Sequence, residues 1–261
     1  MKPTLDEFAA NANAYLPGPN VDLEERDGYV LRHNGVTPHP LLGLVLRQRL
    51  EPDVVPDVVE AARAWFRDRG RARFAWGVAD TATPADLAER LLDLGLEPFE
   101  DEPVFAAMVL ESEPPGTPGV EVRRIETLED QVAAAEITME SFGLTEEERE
   151  ATRQQLRERW ERAQQNPLGD DFVALVEGQV VGSAGASYTD VGLYLGGGNV
   201  AEAARGRGVY RALVRARWDV AVARGTPALV VQAGKMSGPI LERLGFRTVC
   251  EGRVVLDHSG A

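Results

Sequence analysis

The most informative stretch of the chain is NVAEAARGRGVYRALVRARW, Asn199 to Trp218. In this stretch a strand ends at Val200, a turn with two glycines follows, and a helix begins at Val209. The first N–H groups of a helix have no partner within it and lie at the positive end of its dipole. Gly206 and Gly208 let the backbone approach a ligand without interference from a Cβ atom. The turn is therefore suited to hold a pyrophosphate.

Three arginines in this turn, Arg205, Arg207 and Arg211, favour a polyanionic ligand in an otherwise acidic chain. RGRG alone is also compatible with a basic surface turn. Other phosphate-binding patterns fit less well, because the chain has no G-x-x-x-x-G-K-[ST]. A dinucleotide fingerprint would need a third glycine where Arg211 stands. The choice therefore narrows to a loop that binds an acyl-CoA.

Composition limits the class of protein. The 261 residues suit two domains, and 44% hydrophobic with 27% charged residues predicts a globular fold. The chain has 28 Lys and Arg and 42 Asp and Glu, which gives a net charge of -14. This charge disfavours binding to nucleic acid. It would favour a cationic amine as substrate, or it serves only to keep the protein soluble. No apolar stretch is long enough for a membrane span or signal peptide, which predicts a cytoplasmic protein. The single cysteine, Cys250, is expected in the core and excludes an intrachain disulfide.

The segment ESEPPGTPG, Glu111 to Gly119, has three prolines and two glycines and is interpreted as a domain boundary. After it, periodicity predicts the order β-α-α-β-β-β-α-β-α-β, an α/β (α+β) fold with a mixed sheet flanked by helices. The predicted strands are Val120–Ile125, 171–177, 179–188, Val191–Val200, Ala228–Gln232 and Phe246–Leu256. The predicted helices are Asp130–Phe142, Glu146–Gln165, Val209–Arg224 and Ser237–Leu244.

Here the chain resembles the GCN5-related N-acetyltransferase (GNAT) family. Its signature is a strand valine, four intervening residues and then [Q/R]-x-x-G-x-[G/A]; here Val200 is followed by four residues and then RGRGVY, Arg205 to Tyr210. Tyr210 replaces the small last residue. VVQAGKMSGPILERLGF, Val230 to Phe246, resembles the later strand, helix and Leu-Gly-Phe turn of the family. Residues 118–258 are therefore predicted to be an acyl-CoA-binding GNAT domain.

The N-terminal half resembles a second, degenerate copy of the same fold. RARFAWGVADTATPADLAERLLDLGLEP, Arg71 to Pro98, is similar to the late strand, helix and turn, and a helix is predicted before it at Ala61–Arg69. The stretch RQRLEPDVVPD, Arg47 to Asp57, stands where a pyrophosphate loop would precede that helix, and it has no glycine. Residues 1–112 are predicted to be a GNAT-like domain that does not bind CoA and completes the sheet or walls the acceptor cleft. The chain would thus be a tandem of two GNAT-like domains.

The resemblance implies acetyl-CoA as co-substrate, with its pantetheine arm beside a bulged fourth strand at Gly196-Gly197-Gly198. An ordinary flexible turn is the alternative for these glycines. Backbone groups near Asn199 to Ala201 would bind the pantetheine or polarise the thioester carbonyl, and the N–H groups of Gly206 to Tyr210 would bind the pyrophosphate. Ser237 contacts the cofactor or caps the late helix. The predicted cofactor-binding residues are Asn199, Val200, Ala201, Arg205, Gly206, Arg207, Gly208, Val209, Tyr210, Arg211 and Ser237.

The resemblance also implies direct attack of an amine on the thioester in a ternary complex. The tyrosine that protonates the thiolate in the family would fall at Leu241, and a frequent asparagine at Gly234; neither residue here donates a proton. Tyr188 or Tyr194 are candidate replacements for the acid, and both residues are also typical of strand packing. Candidate bases are Glu202 and Glu140, for which the alternative is a solvated surface position. No metal is expected, since His33, His39 and His258 have no ligand spacing.

The sequence thus predicts an acetyl-CoA-dependent N-acetyltransferase for a small-molecule or peptide amine. Two alternatives stay open. One is a non-catalytic acyl-CoA-binding module, because the usual acid is missing; the other is a transferase for a longer acyl group, because small residues would leave room beside the thioester. The acceptor and the oligomeric state are not predicted.

Overall fold

The computed structural model describes residues 2–18, 20–35, 39–100, 104–141, 143–165 and 168–259. The α-helices of this part of the chain are α1 (Leu5–Ala10), α2 (Val55–Asp68), α3 (Leu87–Asp93), α4 (Leu128–Ser141), α5 (Glu146–Gln165), α6 (Val209–Ala223) and α7 (Gly238–Arg243). Its strands are β1 (Val21–Arg26), β2 (Tyr29–Asn34), β3 (Gly43–Leu46), β4 (Arg73–Ala79), β5 (Glu97–Pro98), β6 (Val104–Leu110), β7 (Glu121–Arg124), β8 (Gly169–Val176), β9 (Gln179–Tyr188), β10 (Leu193–Val200), β11 (Leu229–Ala233) and β12 (Arg247–His258). This is the expected mixed α/β architecture.

The chain divides into two compact units. The first unit consists of residues 1–109 and 231–261, and the second consists of residues 110–230. The last strand joins the first unit because β12 pairs antiparallel with β4 and β6, for example Val255 with Trp76 and Gly252 with Phe105. The compact units therefore differ from the ranges 1–112 and 118–258. The assignment of those ranges as tandem domains stays a prediction.

The first unit is built around aromatic side chains between β4 and α2. Its strands follow the order β1-β2-β3-β4-β12-β6, with β5 also on β12, and β3 pairs with β4 in parallel. The rings of Phe66 and Phe74 stack with centroids 4.1 Å apart, and Trp76 is fully buried beside them. Helix α2 begins six residues before the predicted Ala61, because Pro56 is tolerated in the first turn of a helix.

The second unit contains the stretch Asn199 to Trp218 with its two-glycine turn. Strands β7, β8, β9 and β10 form an antiparallel meander, and β11 adds to β10 in parallel. The helices and strands follow the predicted order, and the bounds of α5 and β9 agree with the prediction to the residue. The predicted end of α4, Phe142, lies outside the described residues. Helix α6 packs on β9 and β10, which fixes its first turn beside the end of β10.

Candidate active site

Strands β10 and β11 separate soon after they meet. They pair only at Leu193 with Leu229 and at Tyr194 with Val230. Strand β10 then continues to Val200, and no further pair with β11 forms among the described residues. Among the described residues, β10 from Leu195 to Val200 has no strand partner on this side, and this stretch is termed the open edge.

A bulge in β10 lies at the predicted glycines. The register of β10 on β9 shifts between Gly196 and Asn199, and Gly197 has a φ of 49°. This confirms the expected bulge and excludes an ordinary turn, since β10 continues through it. Strand β10 stays bonded to β9 on both sides of the shift.

The bulge changes which residues offer their backbone to the open edge. The N–H of Leu193 donates to the carbonyl of Ala228 at 2.9 Å, on the β11 side. The N–H of Ala201 donates to Val181 on β9 at 2.9 Å, so it is engaged within the sheet. Backbone groups of neighbouring strand residues point in opposite directions, so those of Val200 face away from β9. Of the predicted pantetheine contacts, Val200 is thus the best placed.

The turn before α6 has the backbone conformation that glycine allows. Gly206 has a φ of 77° and Gly208, at the N-cap of α6, a φ of 80°, both in the left-handed region. No side chain caps the helix, so the N–H groups of Val209, Tyr210 and Arg211 have no partner within it. Arg205 and Arg207 are exposed beside them. These donors and charges fit a pyrophosphate.

The predicted linker supports this turn through Thr117. The Thr117 hydroxyl donates to the carbonyl of Gly208 at 3.3 Å and accepts from Nε of Arg211 at 3.0 Å. Arg211 is thereby held along the first turn of α6. Arg215, one turn further, pairs with Glu113 at 2.6 Å. Sequence analysis missed Thr117, because a threonine between prolines gives no signal of a distant contact.

Tyr210, the departure from the family signature, lies under the bulge. A Cβ atom on Gly198 would stand 2.6 Å from its ring, so glycine at 198 makes room for the tyrosine. Burial raises the pKa of Tyr210, and the nearby Arg217 opposes that shift. Arg217 is buried and donates to the carbonyl of Gly185 at 3.2 Å. Burial lowers the pKa of Arg217 to about 10.

The structure separates the two tyrosines named as candidate acids. Tyr194 is in the last residue pair before β10 and β11 part. Tyr188 lies under the guanidinium of Arg224, 3.7 Å from the ring centre, at the far end of α6 from Gly208, about 22 Å along the helix. Burial and a hydrogen bond with Asp170 raise the pKa of Tyr188 to about 12. The role of each tyrosine stays a prediction.

The two candidate bases are both exposed. Glu202 is in the short 3-10 turn Glu202–Ala204 that follows β10, close to the open edge. Glu140 is in the last turn of α4. Neither carboxylate is held in the cleft by a hydrogen bond to another described residue. Their roles also stay predictions.

The remaining predicted residues belong to the first unit. Ser237 precedes α7 but makes no cap hydrogen bond; its hydroxyl contacts the carbonyl of Gly234 at 3.4 Å. Leu241, where the family has its tyrosine, is fully buried. Cys250 is also buried, as expected, and burial with the neighbouring Asp80 raises its pKa to about 12.

A cavity of about 570 Å³ in the second unit lies between the sheet and the helices α4 and α5. The bulge residues Gly196, Gly197 and Asn199 line one end of it. The cavity therefore borders the bulge of β10. Sequence analysis did not predict this cavity.

The described residues contain neither a metal-ligand cluster nor a membrane-spanning helix. No group of three or more His, Cys, Asp or Glu side chains there is placed to hold a metal ion. Within the same ranges, no helix combines the length and apolar character needed to cross a membrane.

Comparison with known proteins identifies the motif. Residues 132–246 match the family model described as the acetyltransferase (GNAT) family. Residues 132–246 are therefore similar to a GNAT domain. No curated protein matches the chain significantly. The match supports an acyltransferase of this type.

Solved structures show that the GNAT fold extends over both halves. A tandem GNAT protein from the clavulanic acid biosynthesis pathway is 17% identical, with a TM-score of 0.64 over 94% of this chain and 86% of that one. A GCN5-related N-acetyltransferase from Kribbella flavida is 15% identical, with a TM-score of 0.69 over 98% and 96%. One from Sphaerobacter thermophilus is 18% identical, with a TM-score of 0.60 over 92% and 83%. The whole chain therefore has the tandem GNAT fold.

Proposed function

We propose that the protein is an acetyl-CoA-dependent N-acetyltransferase that acetylates an amine of a small molecule or peptide. The observation that carries the proposal is the sequence of three features along β10 and α6. The strand edge opens after Tyr194, the bulge at Gly196 follows, and the uncapped helix begins at Val209. Together they offer an extended slot that ends at a cluster of N–H donors.

The pyrophosphate would lie on the N–H groups between Gly206 and Tyr210. Two left-handed glycines let those groups converge, and the dipole of α6 favours negative charge there. Arg205 supports this assignment further, since its side chain is exposed and has no ion-pair partner among the described residues. Arg207 has only a long contact with Glu177, at 3.8 Å. Both arginines can turn toward a phosphate at little cost.

The acetyl group would lie near the bulge, where Val200 offers its backbone to the open edge. The acceptor nitrogen attacks the thioester carbonyl carbon, a C–N bond forms and the C–S bond breaks. The amide product leaves with one proton fewer on nitrogen, and CoA leaves as thiol. Of the candidate acids, position supports Tyr194, which is at the point where the strands part.

A non-catalytic acyl-CoA-binding module is the second candidate. It is favoured by Leu241, which fills the position of the family tyrosine and is fully buried. Turnover separates the two functions. A longer acyl group is a third reading, supported by the size of the cavity beside the bulge.

The test combines binding and turnover. Isothermal titration measures acetyl-CoA binding by the wild type, by Arg205→Glu, and by Arg73→Glu. Arg73 is a matched control, because it is exposed on β4 in the first unit and the charge change is identical. We expect Arg205→Glu to weaken binding about tenfold or more, the value of a charge-assisted hydrogen bond, and Arg73→Glu to leave it unchanged.

Thiol release upon addition of an amine then establishes transfer. Competition among acetyl-CoA and longer acyl-CoAs identifies the donor. Binding without thiol release across an amine library would favour the binding module. Absence of acetyl-CoA binding by the wild type would refute both functions.

A further inference from the structure

Helix α6 carries a buried arginine on the face that packs against the sheet. Tyr210, Leu213 and Arg217 follow one another at intervals of three and four residues, so they share one face of the helix. This helix packs on β9 and β10, and only 1% of the Arg217 side chain is exposed. An arginine is almost never buried to this degree unless it is paired with an opposite charge. The partners of Arg217 therefore decide what its charge does.

The partners of Arg217 are neutral groups. Its Nε donates to the carbonyl of Leu213 at 3.0 Å, and its Nη1 donates to the carbonyl of Gly185 on β9 at 3.2 Å. Burial lowers the pKa of Arg217, and the nearby phenol of Tyr210 opposes this effect. Among the described residues no carboxylate acts on this pKa, and Nη2 is buried without a hydrogen-bond partner. The charge of Arg217 is thus not balanced by an acidic side chain of this part of the chain.

The buried charge of Arg217 costs the fold free energy. A charge that leaves water loses its hydration, and hydrogen bonds to neutral carbonyls restore only part of that loss. A neutral side chain of similar length, such as methionine, would fill the same space without this cost. Packing of α6 on the sheet therefore does not account for a charged residue at this position.

The guanidinium lies under the bulge of β10. Gly185 is the register partner of Gly196, in the last pair before the register shift. The N–H of Thr189 on the same side donates to the carbonyl of Gly192, just before β10. Because alternate residues of a strand turn their backbone groups the same way, the carbonyl of Gly185 also faces β10. Nη1 is 3.2 Å from this carbonyl, so the guanidinium lies within about one strand spacing, about 5 Å, of the bulge.

The pyrophosphate and the Asp171 carboxylate both lie away from this guanidinium. Arg217 is eight residues after Val209, or about 12 Å along α6 from the turn that would hold the pyrophosphate. A Cβ atom on Gly182 would meet Val209 of α6 at 2.8 Å. A Cβ atom on Gly185, three residues later, would meet Oδ1 of Asp171 at 3.0 Å. Successive side chains of a strand point to opposite faces, so Asp171 lies across the sheet from α6.

The proposed transfer would bring negative charge to the bulge. The acceptor nitrogen attacks the thioester carbonyl carbon, and the electron pair of the C=O bond moves to the oxygen. This pair returns as the C–S bond breaks, and the sulfur leaves with its bonding pair as a thiolate. A proton from the nitrogen then converts the thiolate to the thiol. Negative charge therefore forms first on oxygen and then on sulfur, whereas the bound thioester is neutral.

We propose that the buried charge of Arg217, fixed under the bulge of β10, stabilises the negative charge that forms on the thioester oxygen and then on the CoA sulfur. The inference rests on the proposed acetyl transfer and adds a residue to the same site. Arg217 does not touch the reacting atoms; it acts as a positioned charge from beneath the strand, and the low dielectric of the core strengthens its effect. A stabilised thiolate can leave before it is protonated, which compensates for the missing family tyrosine.

The experiment measures the pKa of the thiol of CoA bound to the full-length protein, from the ultraviolet absorbance of the thiolate as the pH is raised. Subtraction of the signal of the desulfo-CoA complex removes the contributions of protein tyrosines and Cys250. The variants are Arg217→Met, which removes the charge, and Arg217→Lys, which keeps it. Arg157→Met on α5 is the control, since Arg157 is exposed and the charge change is identical.

We expect the thiol pKa in the wild-type complex to lie below that of free CoA. In Arg217→Met it should be higher than in the wild type by about 1–2, which corresponds to a roughly ten- to hundredfold loss of thiolate stabilisation. Arg217→Lys and Arg157→Met should stay close to the wild type. A merely structural role of Arg217 would change the affinity for CoA and leave the thiol pKa unaltered.

Turnover provides a second measurement with any amine that supports thiol release. We expect kcat of Arg217→Met to fall about tenfold or more, because charge forms only during the reaction. The Kd for acetyl-CoA, by isothermal titration, should stay within about threefold of the wild type, because the bound thioester is neutral.

A thiol pKa in the wild-type complex equal to or above that of free CoA overturns the inference, and this result requires no variant. An unchanged thiol pKa in Arg217→Met also overturns it, as does an equal rise in Arg217→Lys and Arg217→Met. These outcomes leave the proposed acetyl transfer intact, because CoA still binds. A lowered thiol pKa without thiol release supports the inference alone. Absence of CoA binding refutes the proposed function, and the inference with it.

Discussion

Replacement of Gly208 by alanine should impair acetyl-CoA binding more than it impairs folding. Gly208 has a φ of 80°, where an L-residue costs about 1–2 kcal/mol. The new Cβ atom would also lie 2.6 Å from Cγ2 of Thr117 and 3.2 Å from Nη2 of Arg211. Either Thr117 or the turn must move, and such overpacking costs about 1–3 kcal/mol.

The unbound Gly208→Ala variant is expected to relieve much of this strain by a change in the conformation of the turn. A bound pyrophosphate requires the N–H groups of the turn to converge again. The strain then appears in the binding free energy, and 1.4 kcal/mol corresponds to a tenfold change in Kd. We therefore expect Kd for acetyl-CoA to rise at least tenfold, by isothermal titration. Urea denaturation of the same variant gives the loss in unfolding free energy.

Two other glycines provide controls that share the strain without the clash. Gly206 has a φ of 77° and Gly225, after α6, a φ of 74°, and a Cβ atom on either meets nothing within 4 Å. Gly225→Ala should lose about 1 kcal/mol of stability and bind acetyl-CoA like the wild type. Gly206→Ala should show a rise in Kd of up to about tenfold.

A second substitution isolates the clash. Thr117→Ser removes the Cγ2 methyl and keeps the hydroxyl, so Thr117→Ser in the Gly208→Ala background should recover part of the lost affinity. The reasoning is refuted if Gly208→Ala binds within about twofold of the wild type while it loses no more stability than Gly225→Ala.

Three further properties follow from the perturbed side chains. The pKa of Tyr188 is raised to about 12, so the neutral phenol is favoured in the folded protein. The contribution of this phenol to the free energy of unfolding is fully present below the ordinary pKa of 10.0 and is lost as the pH rises toward 12. Urea denaturation should thus show a steeper loss of stability between these pH values for the wild type than for Tyr188→Phe, and equal slopes would contradict the placement. Hydrogen bonds from Arg153 hold the pKa of Glu136 below its ordinary value, so the docking of α5 persists above that value and weakens as pH falls through the lowered one. Hydrogen exchange in α5 should accelerate as the pH falls below the ordinary Glu pKa of 4.5. At neutral pH it should accelerate in Arg153→Met but not in exposed Arg157→Met. Cys250 is buried with its pKa raised to about 12, so native protein at pH 8 should not react with a thiol reagent that labels it in urea; rapid native labelling would exclude this burial.

The order of elements in the C-terminal half could be predicted because its signals are local. Helix α6 is bounded by Gly208 and Gly225, and β9 is a run of small and β-branched residues between turns. The bulge at Gly196 was predictable for the same reason, since glycine inside a strand favours it. Local glycine chemistry thus positions both the bulge in β10 and the turn before α6.

Neither the strands that pair with β12 nor the contact between Thr117 and the turn before α6 could be predicted from the sequence. Pairing of β12 with β4 joins residues far apart in sequence, and no local pattern specifies which distant strand is chosen. Thr117 is likewise significant only through a contact 91 residues away in the chain.

The central claim is that the turn from Gly206 to Tyr210 binds the pyrophosphate of acetyl-CoA while the pantetheine lies along the open edge of β10. A crystal structure of the protein with CoA tests it most directly. The account predicts phosphate oxygens within about 3 Å of those N–H groups and a pantetheine amide bonded to the backbone of Val200. A pyrophosphate bound elsewhere, with the turn free of contacts, would contradict it.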